Sequence, residues 1–356
     1  NLMGDPATHL WTDTPDIITV SHPNNISYGT NYFDVYVYNS SNSPIEGALV
    51  TIDERNQPTN IYTDASGLAR FYLENTTSGN TLITVTKINC KPYQGYMNIV
   101  QDQVNVNVDH SEDLIVTDDD DGVAESGESI NLSVPFKNYG TQSVSGVYGV
   151  LSSNSDHVNI TENTVTYGTI QPDETVYGEL NSNNFSLDIL PSSIQGEDLQ
   201  LLVNVYDSQS NNWLSIVDLS VNGSHLIPAN TINVQPGQTV SIDISLRNIG
   251  LMTASGVTGE LSFYGDLITV NDTQGTWGTI TPSNILESVD GFNITLSSDV
   301  IGGSQFSMNL HIESSQGYSR TETINLQAGN VSVSDPLGPD NYGYYIYDSG
   351  DDEYSL

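Results

Sequence analysis

Residues 127–140 read GESINLSVPFKNYG, and residues 237–250 read GQTVSIDISLRNIG. In the first, Ile130, Leu132, Val134 and Phe136 take alternate positions; in the second, Val240, Ile242, Ile244 and Leu246 do. Apolar residues at period two, separated by polar ones, mark a strand with one face in a core and one in water. Each run ends in Asn-x-Gly, which supplies a turn. Gly127 aligns with Gly237, Gly140 with Gly250, Gly146 with Gly256, Gly168 with Gly278 and Pro172 with Pro282, always 110 residues apart. A period of that length is one sandwich domain of about 100 residues, not a solenoid unit of roughly 20–50.

Outward from these runs the alternation recurs at short spacing. VTYGTI, VYGELNSNNFSLDI, LQLLVNVYD and WLSIVDLSV follow in the first copy; FNITLSSDV, FSMNLHIES and TETINLQAG follow in the second. Residues 15–110 form a further β unit of different sequence. There YFDVYVYN is a strand, and PIEGALVTI and IYTDASGLARFYL read as strand, turn, strand around Asp64 to Gly67. LITVTKIN and YMNIVQDQVNVNV complete the unit. No stretch carries a useful helical period. The expected fold is therefore all-β, as tandem immunoglobulin-like antiparallel β-sandwiches. The expected organisation is an extended segment at 1–14, a sandwich at 15–110, repeats at 111–222 and 223–330, and a Tyr-rich acidic tail or strand at 331–356. The opening at Asn1, without a signal-like segment, reads as a piece of something longer.

Composition bounds the partners. The 356 residues hold 7 Lys+Arg against 44 Asp+Glu, for a net charge of −37. Such a field repels nucleic acid and anionic membrane surfaces. No apolar run approaches the roughly 18 residues of a membrane span, so membrane insertion is not expected. Cys90 is the sole cysteine, which excludes an intramolecular disulfide and a Cys-based zinc cluster. It is expected to be a buried structural residue.

Several stretches carry a family resemblance. NLMGDPATHLWTDTP resembles the end of the catalytic domain in gingipain-type secreted cysteine peptidases. PIEGALVTI, YTDASGLARFYL and ITVTKINCKPYQG look like the Ig-like domain attached to it, and the two repeats resemble adhesion-type modules of large secreted proteins. DPLGPDNYGYYIYD is similar to the entry into a further module. The resemblance implies a secreted, modular, bacterial protein at the cell surface or beyond. It places any peptidase activity in an upstream domain, so no nucleophile role passes to Cys90.

VTDDDDGVAESGE opens the first repeat. With Gly122 as the sixth position of a twelve-residue calcium loop, Asp119 is third, Asp121 fifth, the Val123 carbonyl seventh, Glu125 ninth and Glu128 twelfth. Adjacent carboxylates repel until a cation neutralises them. Thr117 stands where the first ligand belongs, so Asp118 or Asp120 would substitute. The expected ligand set is thus Asp118, Asp119, Asp120, Asp121, Val123, Glu125 and Glu128, with calcium as the structural ion. The alternative is a solvated acidic turn. The matching stretch of the second repeat, LIPANTINVQPGQTV, has no acids, which makes such a site a local clamp. DHSED near Asp109 could add ligands; DSGDDEYSL at the end reads as a tail.

Catalytic signatures are missing from the sequence. His9, His22, His110, His157, His225 and His311 are scattered, with no H-E-x-x-H, nucleophile elbow or phosphate loop. N-x-Ser/Thr sequons occur at Asn25, Asn39, Asn75, Asn131, Asn159, Asn184, Asn222, Asn271, Asn293 and Asn330; they are candidate surface sites where the source glycosylates extracellular proteins, and otherwise a product of an Asn/Ser/Thr-rich composition. The expected role is a non-catalytic stalk, spacer or adhesive array. Its partner would be a protein or glycan surface, or copies of itself through terminal strands. The latter case is a subunit of a self-assembling extracellular filament. A third reading is an accessory region of the upstream peptidase.

Overall fold

The computed structural model describes residues 14–54, 57–73, 79–117, 121–178, 184–330, 336 and 344–351. Among them every regular element is a strand, arranged in nine sheets around three hydrophobic cores. Among the described residues no helix is long and apolar enough to cross a membrane.

The first core lies between two sheets. One carries Thr19–Ser21, Tyr32–Tyr38 and Leu68–Tyr72; the other runs Asn25–Ser27, Tyr93–Val100, Gly79–Thr86, Leu49–Glu54, Gln57–Tyr62. Phe33, Val35, Val37 and Phe71 meet Val50, Ile83, Val85 and Met97 between them. Each such side chain contributes about 1.5–3 kcal/mol on burial. The Asp64–Gly67 turn passes the chain between sheets. The strand before it pairs with Leu49–Glu54, the strand after it with Tyr32–Tyr38. Asp64 Oδ1 accepts hydrogen bonds from Ser66 N, Ser66 Oγ and Leu68 N, and Gly67 adopts φ +76°. Cys90 is only partly buried, on a short strand paired in parallel with Asp16–Ile17.

The decisive alternating runs bury the predicted face, but neither is one strand. Ser129–Ser133 pairs with Phe185–Ile189, whereas Phe136–Asn138 pairs with Val106–Val108 in the opposite sheet. The chain changes sheet at Val134-Pro135, where a missing N–H costs no ladder bond. In the second copy Thr239–Ile242 and Ser245–Asn248 divide in the same way.

The 110-residue period holds in detail. Tyr167 Oη donates to the Val134 carbonyl at 2.8 Å, and Trp277 Nε1 donates to the Ile244 carbonyl at 2.7 Å. The two rings fill equivalent core sites and satisfy their polar tips on equivalent carbonyls. Burial drives the Tyr167 phenol pKa far up, so it stays a donor. Asn138 and Asn248 are fully buried. Each donates to two carbonyls, of Gln142 and Ile170 or of Met252 and Ile280. Each accepts from the glycine two residues on.

One boundary moves. Val106–Val108 pairs with the second unit, and its valines belong to the second core. The last strand of the first sandwich is Tyr93–Val100. The run YMNIVQDQVNVNV is thus split between two sandwiches, and the first ends before residue 110.

Candidate functional site

The acidic stretch is an insertion. Leu226–Pro228 of the third unit pairs with Ser245–Asn248 as Val106–Val108 pairs with Phe136–Asn138. Leu226 follows Val106 by 120 residues, where Gly237 follows Gly127 by 110, so the earlier copy carries ten extra residues. They hold Ile115–Thr117, which joins Ser129–Ser133 as a fourth strand. The equivalent sheet of the third unit has three. The aspartates follow this added edge strand.

Of the predicted ligands, Asp118, Asp119 and Asp120 lie outside the described residues. Gly122 has φ +76°, as a sharp turn requires. Asp121 Oδ1 accepts from Val123 N at 2.8 Å, and Glu128 Oε2 accepts from Glu125 N at 3.0 Å. Glu125 bridges in parallel to Asn222, tying the loop to the far end of the second unit. Asp121 and Glu128 thus each spend one carboxylate oxygen on the turn. Among the described residues no three His, Cys, Asp or Glu side chains converge to hold a metal. The described half of the loop does not form a calcium shell by itself.

The structure instead brings together a set of residues at the junction of the first two units that the sequence reading passed over. Asn31 is buried. Its Nδ2 donates to the Ile216 carbonyl at 2.7 Å, and its Oδ1 accepts from Ile216 N at 3.4 Å. Asn105 Nδ2 donates to the Tyr28 carbonyl, Asn107 Nδ2 to Asn105 Oδ1, and Ser215 Oγ to Asn107 Oδ1. Tyr28 meets Tyr139 edge to face, with centroids 5.7 Å apart. Gln200 Nε2 donates to Tyr72 Oη, and Gln101 Nε2 to the Tyr139 carbonyl. The available signal was VNVNV at 104–108. Period two would expose Asn105 and Asn107, yet both are buried because a neighbouring sandwich covers them.

Asp109 closes this junction. Burial alone would raise its carboxyl. Hydrogen bonds from Ser111 Oγ, Thr175 Oγ1 and Ser111 N, with the Lys137 charge, outweigh that and hold it below the usual range. Burial, and then the Asp109 charge, push the Tyr139 phenol far up. The next junction is built differently: Gly317 lies against Pro191, and Gly223 donates to Gln195 Oε1. Ile194 packs onto the third core. Among the described histidines, His157 Nδ1 lies 2.5 Å from Glu197 Oε1, His22 Nε2 lies 2.8 Å from Tyr93 Oη, and His311 Nε2 lies 3.5 Å from Glu313 Oε1. Burial, and then the Asp16 charge, push the Cys90 thiol up, which favours its inert protonated form.

No protein-family model matches the chain, and no curated protein matches it in sequence. Solved structures match it only at low identity and low TM-score. A protein of unknown function from Porphyromonas gingivalis W83 shares 12% identity over 62% of this chain and 99% of its own, with a TM-score of 0.20. Invasin, a bacterial integrin-binding protein, shares 13% over 92% of this chain and 63% of its own, at 0.21. A 1.5-MDa bacterial ice-binding adhesin shares 13% over 90% of this chain and 100% of its own, at 0.20. The assignment as tandem sandwiches stands on the strand pairing described above.

Proposed function

We propose that the chain is a non-catalytic array of Ig-like sandwiches that holds or presents a binding surface at the exterior of a bacterial cell. The observation that carries this reading is the first junction. Asn31 and Ile216 exchange hydrogen bonds in both directions, and the surrounding amides are satisfied across the boundary. Buried, mutually paired polar groups fix a geometry rather than merely add stability. A chain whose sandwiches are locked at fixed angles suits a spacer or adhesive module. The acidic exterior keeps such an array soluble and away from anionic surfaces.

In this reading calcium is a structural ion at the insertion, held by the expected set of Asp118, Asp119, Asp120, Asp121, the Val123 carbonyl, Glu125 and Glu128 around the Gly122 turn. Small-angle scattering of the purified chain tests the proposal. A monomer of fixed shape, unchanged across concentration, is expected. Scattering from a freely jointed set of beads, or from a growing polymer, would remove the reading, and the polymer would favour the filament instead.

A further inference from the structure

We propose that the groove between the first two sandwiches binds the pyranose rings of a neutral glycan. This rests on the reading of the chain as a surface array and gives that array a ligand class. The groove is a cleft of about 530 Å³. Its floor is the outer face of the three-stranded sheet, on which Tyr32, Asp34, Tyr36 and Tyr38 stand at period two. Its far wall is Trp213 from the second unit. Tyr36 and Tyr38 lie nearly parallel, 9° apart with centroids at 6.3 Å, and extend the aromatic platform along the strand.

The charges of this face are already committed. Arg70 Nε and Nη2 donate to the two Asp34 oxygens at 2.7 and 2.8 Å, and the guanidinium sits 5.0 Å above the Tyr32 ring. A basic peptide finds its carboxylate paired, and an acidic polymer meets the field of a chain of net charge −37. The groups left over are uncharged. The hydroxyls of Ser21, Thr30, Tyr32 and Tyr36, and Trp213 Nε1, have no hydrogen-bond partner among the described residues. Hydroxyls both donate and accept, and indole N–H donates. Aromatic faces beside such groups match a pyranose, whose axial C–H face is apolar and whose rim is hydroxyl. Concave sites that combine aromatic walls with a few uncharged polar groups, set between two domains, are the usual form of a ligand site.

Affinity electrophoresis of the full chain provides the test. Native gels would hold a soluble β-glucan, α-glucan, mannan or galactan, with anionic alginate in parallel. At least one neutral polymer should retard the chain, and alginate should not. Trp213 also packs against the second core, so Tyr36→Thr is the main variant: it removes the ring but keeps a strand-favouring residue. It should weaken retardation about tenfold, with an unchanged melting midpoint, while Tyr36→Phe keeps most of the binding. The inference is overturned if no neutral polymer retards the chain, if alginate alone does, or if Tyr36→Thr binds as well as the parent. A chain that scatters with fixed shape but binds no neutral glycan removes the groove and leaves the array. A chain that scatters as loose beads yet binds through Tyr36 does the reverse.

Discussion

Asn138 and Asn248 show how a polar residue becomes a core residue. Each sits where the chain leaves a strand and turns back; each amide donates to two carbonyls and accepts from the glycine N–H two residues on, and Asn248 also accepts from His225 N. Asn138→Ala removes the partner of the buried Ile170 carbonyl and Gly140 N–H and of the partly buried Gln142 carbonyl. Each unmade bond costs about 1–3 kcal/mol, and partial relaxation should bring the total to about 3 kcal/mol. Urea unfolding of the chain should show the loss in the transition of the second sandwich. Tyr167→Phe keeps the ring and loses only the bond to Val134, so it should cost about 1 kcal/mol. Trp277→Phe also opens a cavity and should cost about 3 kcal/mol. Equal losses in the two variants would contradict the equivalence of the two sites. Asp109 supplies a pH dependence. Its folded pKa lies below its unfolded one, so its contribution is fully present above the ordinary aspartate value of about 3.9. That contribution disappears as pH falls through the depressed folded pKa. Between pH 7 and 3, Asp109→Asn should lose less stability than the parent, as thermal melts across that range would show.

At the scale of elements, the sequence made the buried face plain because core positions alternate with solvent ones, and Ile130, Leu132, Val134 and Phe136 are all buried. The sheet change inside that run left no trace in the period, because both sheets bury the same face against one core. Pro135 was its only mark in the first copy, and the second has no proline there. The Asn31, Asn105 and Asn107 network was illegible for a related reason: a position turned outward in one sandwich is interior once a second covers it. The acidic run was visible as a boundary, but only strand pairing shows it as an insertion that adds Ile115–Thr117 as an edge strand. Such an edge is easily frayed, and the aspartates that follow repel one another. If calcium quiets that repulsion, millimolar calcium should raise the melting midpoint of the second sandwich. Asp121→Asn with Glu128→Gln should abolish the rise. An identical midpoint with and without calcium would leave Asp118 to Asp121 a solvated turn.

The whole molecule depends on whether its sandwiches keep their angles, and Gly29 tests that at one atom. It adopts φ +91°, and a Cβ built there would lie 2.4–2.7 Å from three carbons of the Tyr139 ring. No real side chain tolerates that contact, and the conformation itself is strained for any residue with a Cβ. Gly29 belongs to the first sandwich and Tyr139 to the second, so the added methyl acts on the junction and on neither core. Gly29→Ala should therefore leave the core packing of both units intact while forcing Tyr28 and Tyr139 apart. The Asn31 to Ile216 exchange, two residues along, would then lose its alignment. Asn31→Ala should loosen the same junction without a clash, by removing the buried bonds directly. Both variants should scatter as more flexible chains than the parent, with near-parent circular dichroism. If Gly29→Ala kept the parent's scattering curve, the junction would be yielding rather than locked, and the sandwiches would act as independent beads on a string.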